Sequence, residues 1–178
     1  MGNTYANVTV VGTTGPAVVE ALGGSDAFVA DAGDGCVVVF AAADELDGFS
    51  AGITAGRLST ELGVPALEVA VFDDDLLVYQ AFVDGEAVAA AAVPDEIAEA
   101  MGMDDDFPAA DPQRLVEVLG RGDPAAVGDV LGSSPVFVSD LHTQLADALG
   151  LPSWASAHGW GYVEAGEAEI PVDLIRTS

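Results

Sequence analysis

The chain has no lysine and only four arginines, against 30 aspartates and glutamates, and its formal net charge is −26 over 178 residues. Without lysine there is no P-loop lysine, no Schiff base and no pyridoxal phosphate anchor. Four arginines do not make the basic groove that a phosphate backbone requires, so direct nucleic-acid binding is not expected. Cysteine occurs once, as Cys36. It cannot form an internal disulfide, and its place in the apolar run CVVVF is that of a small core residue. No G-x-S-x-G elbow is present, and Ser133-Ser134-Pro135 reads as a helix cap and not as a nucleophile site. No uncharged apolar run approaches the roughly 20 residues that span a bilayer. The start, MGNTYANVTVV, has neither a basic n-region nor a signal-peptide core, and Ala6 stands where a myristoylation signal wants Ser or Thr. A soluble cytoplasmic protein without membrane contact is expected.

What is present suits a globular fold. A chain of this length buries about 70% of its unfolded surface around one core, and the hydrophobic share is 51%. The acidic side chains are distributed along the whole chain. Mass scaling gives them a mean surface spacing of about 16 Å, twice the Debye length of about 8 Å at physiological salt. Average repulsion is therefore mostly screened, whereas the clusters Asp73-Asp74-Asp75 and Asp104-Asp105-Asp106 are not spaced on average. Three accounts of the acidity stand: adaptation to a salty interior, a basic partner or mimicry of nucleic acid, and drift in an Ala/Gly/Val/Asp-rich proteome.

The most informative stretch is Val64 to Val93. Leu67, Val69 and Val71 alternate, then Leu77, Tyr79, Ala81 and Val83, as in strands with one buried face. Asp84-Gly85 is a two-residue hairpin turn, since Asp and Gly tolerate the positive φ it requires. Asp34-Gly35 signals another hairpin, between Ala27–Ala30 and Cys36–Ala41. A strand is expected at Asn7–Val11, and helices at Pro16–Leu22 and Ser50–Leu62. The Gly-rich GTTGP turn between the first strand and helix lacks a third glycine and a lysine, and reads as a plain turn. The order is strand, helix, strand, strand, helix, strand, that of a ferredoxin-like βαββαβ unit with an antiparallel sheet, here extended by a β-hairpin. The chain is read as one α+β domain: 1–93 mainly sheet, 94–155 mainly helical with the helices on one face, and 156–178 a closing strand and tail. Within the helical part, DEIAEAM after Pro94 reads as a short helical or irregular piece, and Asp111-Pro112, Asp123-Pro124 and Pro135–Leu149 mark three helices. His158, Trp160 and Tyr162 alternate as on a strand.

The motifs DGCVVVF, LS-x-ELG-x-PAL-x-V-x-x-x-DDD-LL-x-Y and H-x-x-LA-x-ALGLP-x-WA ahead of G-x-GY span nearly the whole chain. In these the chain resembles a family of uncharacterised proteins common in actinobacteria and cyanobacteria, a resemblance that implies no activity, ligand or catalytic residue. The chain departs from that pattern at Val71-Phe72, where Asn-His is expected, and at Val78, where Trp is expected.

Two functional expectations follow. The first is a non-catalytic protein-binding or accessory domain, with another protein as partner on a surface formed by Trp154, His158, Trp160 and Tyr162. The second is a divalent-cation-binding domain or metal-dependent hydrolase, in which Asp73, Asp74 and Asp75 hold Mg²⁺ or Ca²⁺ through carboxylate oxygens. No other cofactor is expected. Adjacent strand residues face opposite ways, so at most two of the three carboxylates converge, and a solvated turn is the plainer reading. Asp104 to Asp106 is read the same way. His142 lies at the border of a helical apolar stripe, the position of a half-buried structural residue. In so negative a field both histidines are expected to have raised pKa values.

Overall fold

The computed structural model describes residues 2–45, 53–103 and 107–178. Asp104 to Asp106, and Ser50 to Gly52 at the start of the second expected helix, lie outside the described residues.

Runs of valine and alanine in alternating register produce the strands β1 (Tyr5–Val11), β2 (Ala27–Gly33), β3 (Cys36–Ala41), β4 (Ala66–Phe72), β5 (Leu76–Val83), β6 (Glu86–Val93) and β7 (Leu174–Thr177). They form one open sheet in the order β6-β5-β4-β1-β3-β2-β7, and every neighbouring pair is antiparallel. Three hairpins turn through pairs of left-handed residues. Asp34-Gly35 and Asp84-Gly85 do so as expected, and Asp73-Asp74 does so without a glycine, at φ 51° and 58°. Aspartate tolerates that region better than most residues, which explains two of the three aspartates on backbone grounds.

Around the sheet lie α1 (Gly15–Leu22), α2 (Ala42–Glu45), α3 (Ile53–Leu62), α4 (Asp95–Ala100), α5 (Pro112–Leu119), α6 (Pro124–Leu131), α7 (Val138–Leu149), a 3₁₀ turn (Ser153–Ala155) and α8 (Trp160–Glu164). The period of two sends Val8 and Val10 of β1 to one face, where they meet Val18 and Leu22 of α1 and Ala55 and Leu58 of α3. Leu67, Val69 and Val71 of β4 and Leu77, Tyr79 and Ala81 of β5 face the other way, into Leu115 and Leu119 of α5, Val127 and Leu131 of α6, and Leu141, Leu145 and Leu149 of α7. Each of these fully buried leucines contributes about 1.5–3 kcal/mol of transfer free energy. Further along that second face, Ala30, Val38 and Phe40 pack against Ala155, Trp154, Trp160 and Val163.

The structure departs from the sequence reading in three places. The stretch containing His158, Trp160 and Tyr162 is no strand: Trp160 to Glu164 is helical, with Trp160 and Val163, three residues apart, entering the same cluster. The closing strand lies further on, at Leu174–Thr177, paired with β2. The helices after residue 94 do not all cover one face, because Ala98 of α4 packs with Leu76, Val78 and Ala92 on the α1/α3 side. Finally, α7 begins at Val138 and not at Pro135, with Phe137 still extended at φ −124°.

Between α5 and α6 the chain passes close to the end of α7. A Cβ on Gly122, at φ +93°, would stand 2.9 Å from both the Ala148 carbonyl oxygen and Leu149 Cα, whereas one on Gly120, at φ +64°, would meet nothing within 4 Å. Gly120→Ala is expected to cost about 1 kcal/mol, the left-handed penalty alone. Gly122→Ala should cost at least about 1 kcal/mol more. Equal midpoints for the two variants in urea unfolding would contradict the packing of this turn against α7.

Candidate functional site

The first-turn N–H groups of a helix need acceptors, and Phe137, at the N-cap of α7, offers no side-chain oxygen. Asp74 supplies them from the β4–β5 turn. Its Oδ1 accepts from Ser139 N–H at 3.2 Å, and its carbonyl oxygen from Val138 N–H at 3.1 Å. Its Oδ2 accepts from Asn3 N–H at 2.8 Å, and its own N–H donates to the Asn3 carbonyl at 2.9 Å. Asp73 completes the tether: Gly2 N–H donates to its Oδ1 at 2.7 Å and its N–H donates to Thr4 Oγ1 at 2.9 Å. Burial pushes the Asp74 carboxyl up, but the hydrogen bonds from Asn3 and Ser139 outweigh it and hold the group below the usual aspartate range. Two of the three aspartates thus use carboxylate oxygens on N–H groups, and Asp75 is exposed. Among the described residues no group of three or more His, Cys, Asp or Glu side chains is placed to hold a metal ion.

A second feature was missed from the sequence. The face of β1 turned to the C-terminal layer is polar at alternate positions: Tyr5, Asn7 and Thr9, continued by Asn3. Each is met by the 142–162 segment or packs beside it. Tyr5 Oη lies 2.9 Å from His142 Nδ1, with the rings stacked at 5.7 Å. Asn7 Nδ2 donates to the carbonyls of Ala155 and His158, both at 2.9 Å. Tyr162 O–H donates to Asn3 Oδ1 at 3.3 Å, and Thr9 shares a small cavity with His142. This seam separates the leucine-rich cluster under α5–α7 from the aromatic cluster around Trp154 and Trp160. The signal was visible as N-x-Y-x-N-x-T, a polar alternation in a strand otherwise made of valine and alanine.

Both histidines are shifted opposite to expectation. Burial alone drives His142 down to about 3, and burial lowers His158 against the raising influence of the Ala157 backbone and the Glu169 carboxylate. Local desolvation outweighs a negative field that solvent and salt screen. Tyr5 is raised far above its ordinary value, chiefly by burial, and keeps its proton.

Of the residues expected to form a binding surface, Trp154 and Trp160 are half-buried against Ala30, Val38 and Phe40, with Trp160 6.5 Å from Phe28. Tyr162 and His158 belong to the seam. The largest exposed apolar side chains in this layer lie elsewhere: Val136 is 87% exposed and Phe137 54%. Val136 lines a groove of about 220 Å³ together with Val93, Pro94, Ile97, Val138, Leu141, Asp75 and Glu96, and Phe137 is the next residue in the chain. The GTTGP turn is no anion site, because Asp31 Oδ2 accepts from Gly15 N–H at 2.7 Å.

The chain matches no family model, no curated protein and no solved structure.

Two predictions follow from this geometry. Asp74→Ala is expected to destabilise the protein by about 1–3 kcal/mol, since it strands N–H groups of α7 and of the N-terminal segment, while Asp75→Ala stays within about 0.5 kcal/mol. Equal unfolding midpoints would refute the tether. The second concerns acid. His142, depressed from 6.5 to about 3, contributes stability that is present above pH 6.5 and lost as pH falls toward 3. Asp44, which burial raises from 3.8 to about 6, works in the opposite sense, contributing stability below 3.8 that is lost as pH rises through 6. Between pH 3.8 and 6 the two oppose one another. Asp44→Asn should therefore make stability fall with acid more steeply than in the wild type, by about 1.4 kcal/mol per pH unit in that window. Parallel urea-stability curves for the two proteins would rule this out.

Proposed function

We propose that the protein is a cytoplasmic, non-catalytic protein-binding or accessory domain that engages its partner through Val136, Phe137 and the groove behind them. The carrying observation is that these two side chains are exposed while the backbone directly after them is fixed, with Val138 and Ser139 N–H both bonded to Asp74. An apolar pair displayed from an anchored backbone loses little freedom on binding, which is what an interface anchor needs. The histidines support a structural role in the same reading: His142 has its Nδ1 on Tyr5, and His158 has its carbonyl on Asn7. The cation-binding alternative draws less support, because Asp73 Oδ1 and both carboxylate oxygens of Asp74 already accept N–H bonds. For the architecture we propose one domain whose β1–β4 portion is a ferredoxin-like unit. The neighbour order β4-β1-β3-β2 and the placement of α1 and α3 on one face support this.

The double variant Val136→Asp/Phe137→Asp tests the reading. It is expected to keep the wild-type melting temperature and circular dichroism, since both positions face solvent, and to lose any partner that the wild type retains in stoichiometric amount in affinity capture from its native lysate. Retention of the same partner by the double variant, or no partner for either protein, would sink the proposal.

A further inference from the structure

We infer that the occupant of this groove is a cationic apolar segment of another protein, one that places an aliphatic or aromatic side chain between Val136 and Ile97 and a Lys or Arg beside it against Asp75 and Glu96. The inference rests on the docking surface proposed above and adds the chemistry of what docks.

Size speaks first. The groove, at about 220 Å³, is smaller than the roughly 300–1,000 Å³ typical of small-molecule sites. It suits a single anchoring side chain better than a metabolite. Its floor of Val93, Pro94, Ile97 and Leu141 asks for an apolar anchor.

Charge then selects among anchors. Asp75 and Glu96 line the groove, and Asp140 is exposed in the first turn of α7 just beyond Phe137. None of the three has an ion-pair partner among the described residues. Among the described residues each of the four arginines is engaged elsewhere. Arg57 is near Glu61, Arg176 bridges Asp26 and Glu164 and lies over the Phe28 ring, Arg114 bonds the Val88 carbonyl, and Arg121 bonds Cys36 Sγ. With no lysine in the sequence, positive charge for this groove has to arrive with the ligand. Anionic partners, nucleic acid and acidic membrane surfaces are repelled by a net charge of −26. The apolar component confines the contact to this groove, because charge alone would spread a cation over the whole acidic surface.

The test uses the full chain and three labelled synthetic peptides of equal length at physiological ionic strength. One carries leucine and arginine, one leucine and glutamate, and one serine and arginine. Binding is read by fluorescence polarisation and by backbone amide shifts. The leucine-arginine peptide is expected to bind, with shifts concentrated at Ile97 and residues 133–141. Asp75→Asn/Glu96→Gln should weaken it about tenfold and flatten its salt dependence, and Val136→Asp/Phe137→Asp should weaken it further. If the leucine-glutamate peptide binds those same residues equally well, the cationic class is overturned while the docking surface stands. If the serine-arginine peptide matches the leucine-arginine one, or the shifts spread evenly over the protein, binding is diffuse charge attraction and the inference falls. If no peptide moves the resonances at 133–141, both the inference and the docking surface fall.

Discussion

A helix whose N-terminal residue cannot cap it must borrow an acceptor, and in this protein the lender is a hairpin tip far away in sequence. Asp74 is held at positive φ by the β4–β5 turn, which aims its carboxylate out of the hairpin and toward two other segments. One oxygen takes the N-terminal strand and the other takes the first turn of α7. The placement of α7 follows, and with it the leucine row Leu141, Leu145 and Leu149 that covers β4 and β5. Charge also favours the arrangement, because a carboxylate at a helix N-terminus meets the positive end of the macrodipole. In a chain with so few basic groups, N–H donors are the partners available to satisfy a semi-buried carboxylate.

The polar seam on β1 solves a related problem. A central strand of a sheet covered on both faces would ordinarily be apolar on both, as parallel sheets are. Here one face of β1 carries Tyr5, Asn7 and Thr9, and their burial costs free energy unless partners are supplied. For Asn7 the irregular stretch after α7 supplies them as the carbonyls of Ala155 and His158, and for Tyr5 α7 itself supplies His142 Nδ1. Ala157, at φ +65°, marks how far the backbone departs from regularity there. The seam thereby fixes where the C-terminal segment crosses the sheet, a specificity that an all-valine strand face would not provide.

Much of the sheet could be read from the sequence because it depends on local signals. Period-two alternation and the Asp-Gly pairs set β2 to β6 and two of their turns, and Asp111-Pro112 and Asp123-Pro124 marked α5 and α6 because capping is a contact between near neighbours. The failures lie where distant residues decide. Alternating His158, Trp160 and Tyr162 imitate a strand, yet the chain forms a short helix there that brings Trp160 and Val163 into one cluster. The start of α7 moved because its cap came from Asp74. The N–H groups of Gly2, Asn3 and Ser139 that meet the first two aspartates of the triple were hidden too, since a sequence shows candidate ligands and not their neighbours. The histidine shifts were misjudged for the same reason: net charge is legible in a composition, whereas burial is not, and burial dominates.

That distinction between global charge and local environment also governs what the surface can do. Screening makes the long-range pull of the acidic groups non-specific, so charge by itself cannot single out a docking place. Specificity needs a short-range term. In the docking surface proposed above Val136 and Phe137 would supply one, because the Asp74 tether fixes the backbone directly after them. The hydrogen bonds from Val138 and Ser139 to Asp74 that begin α7 also fix the backbone directly after the pair, and Val136, which lines the groove, and Phe137 are both left exposed.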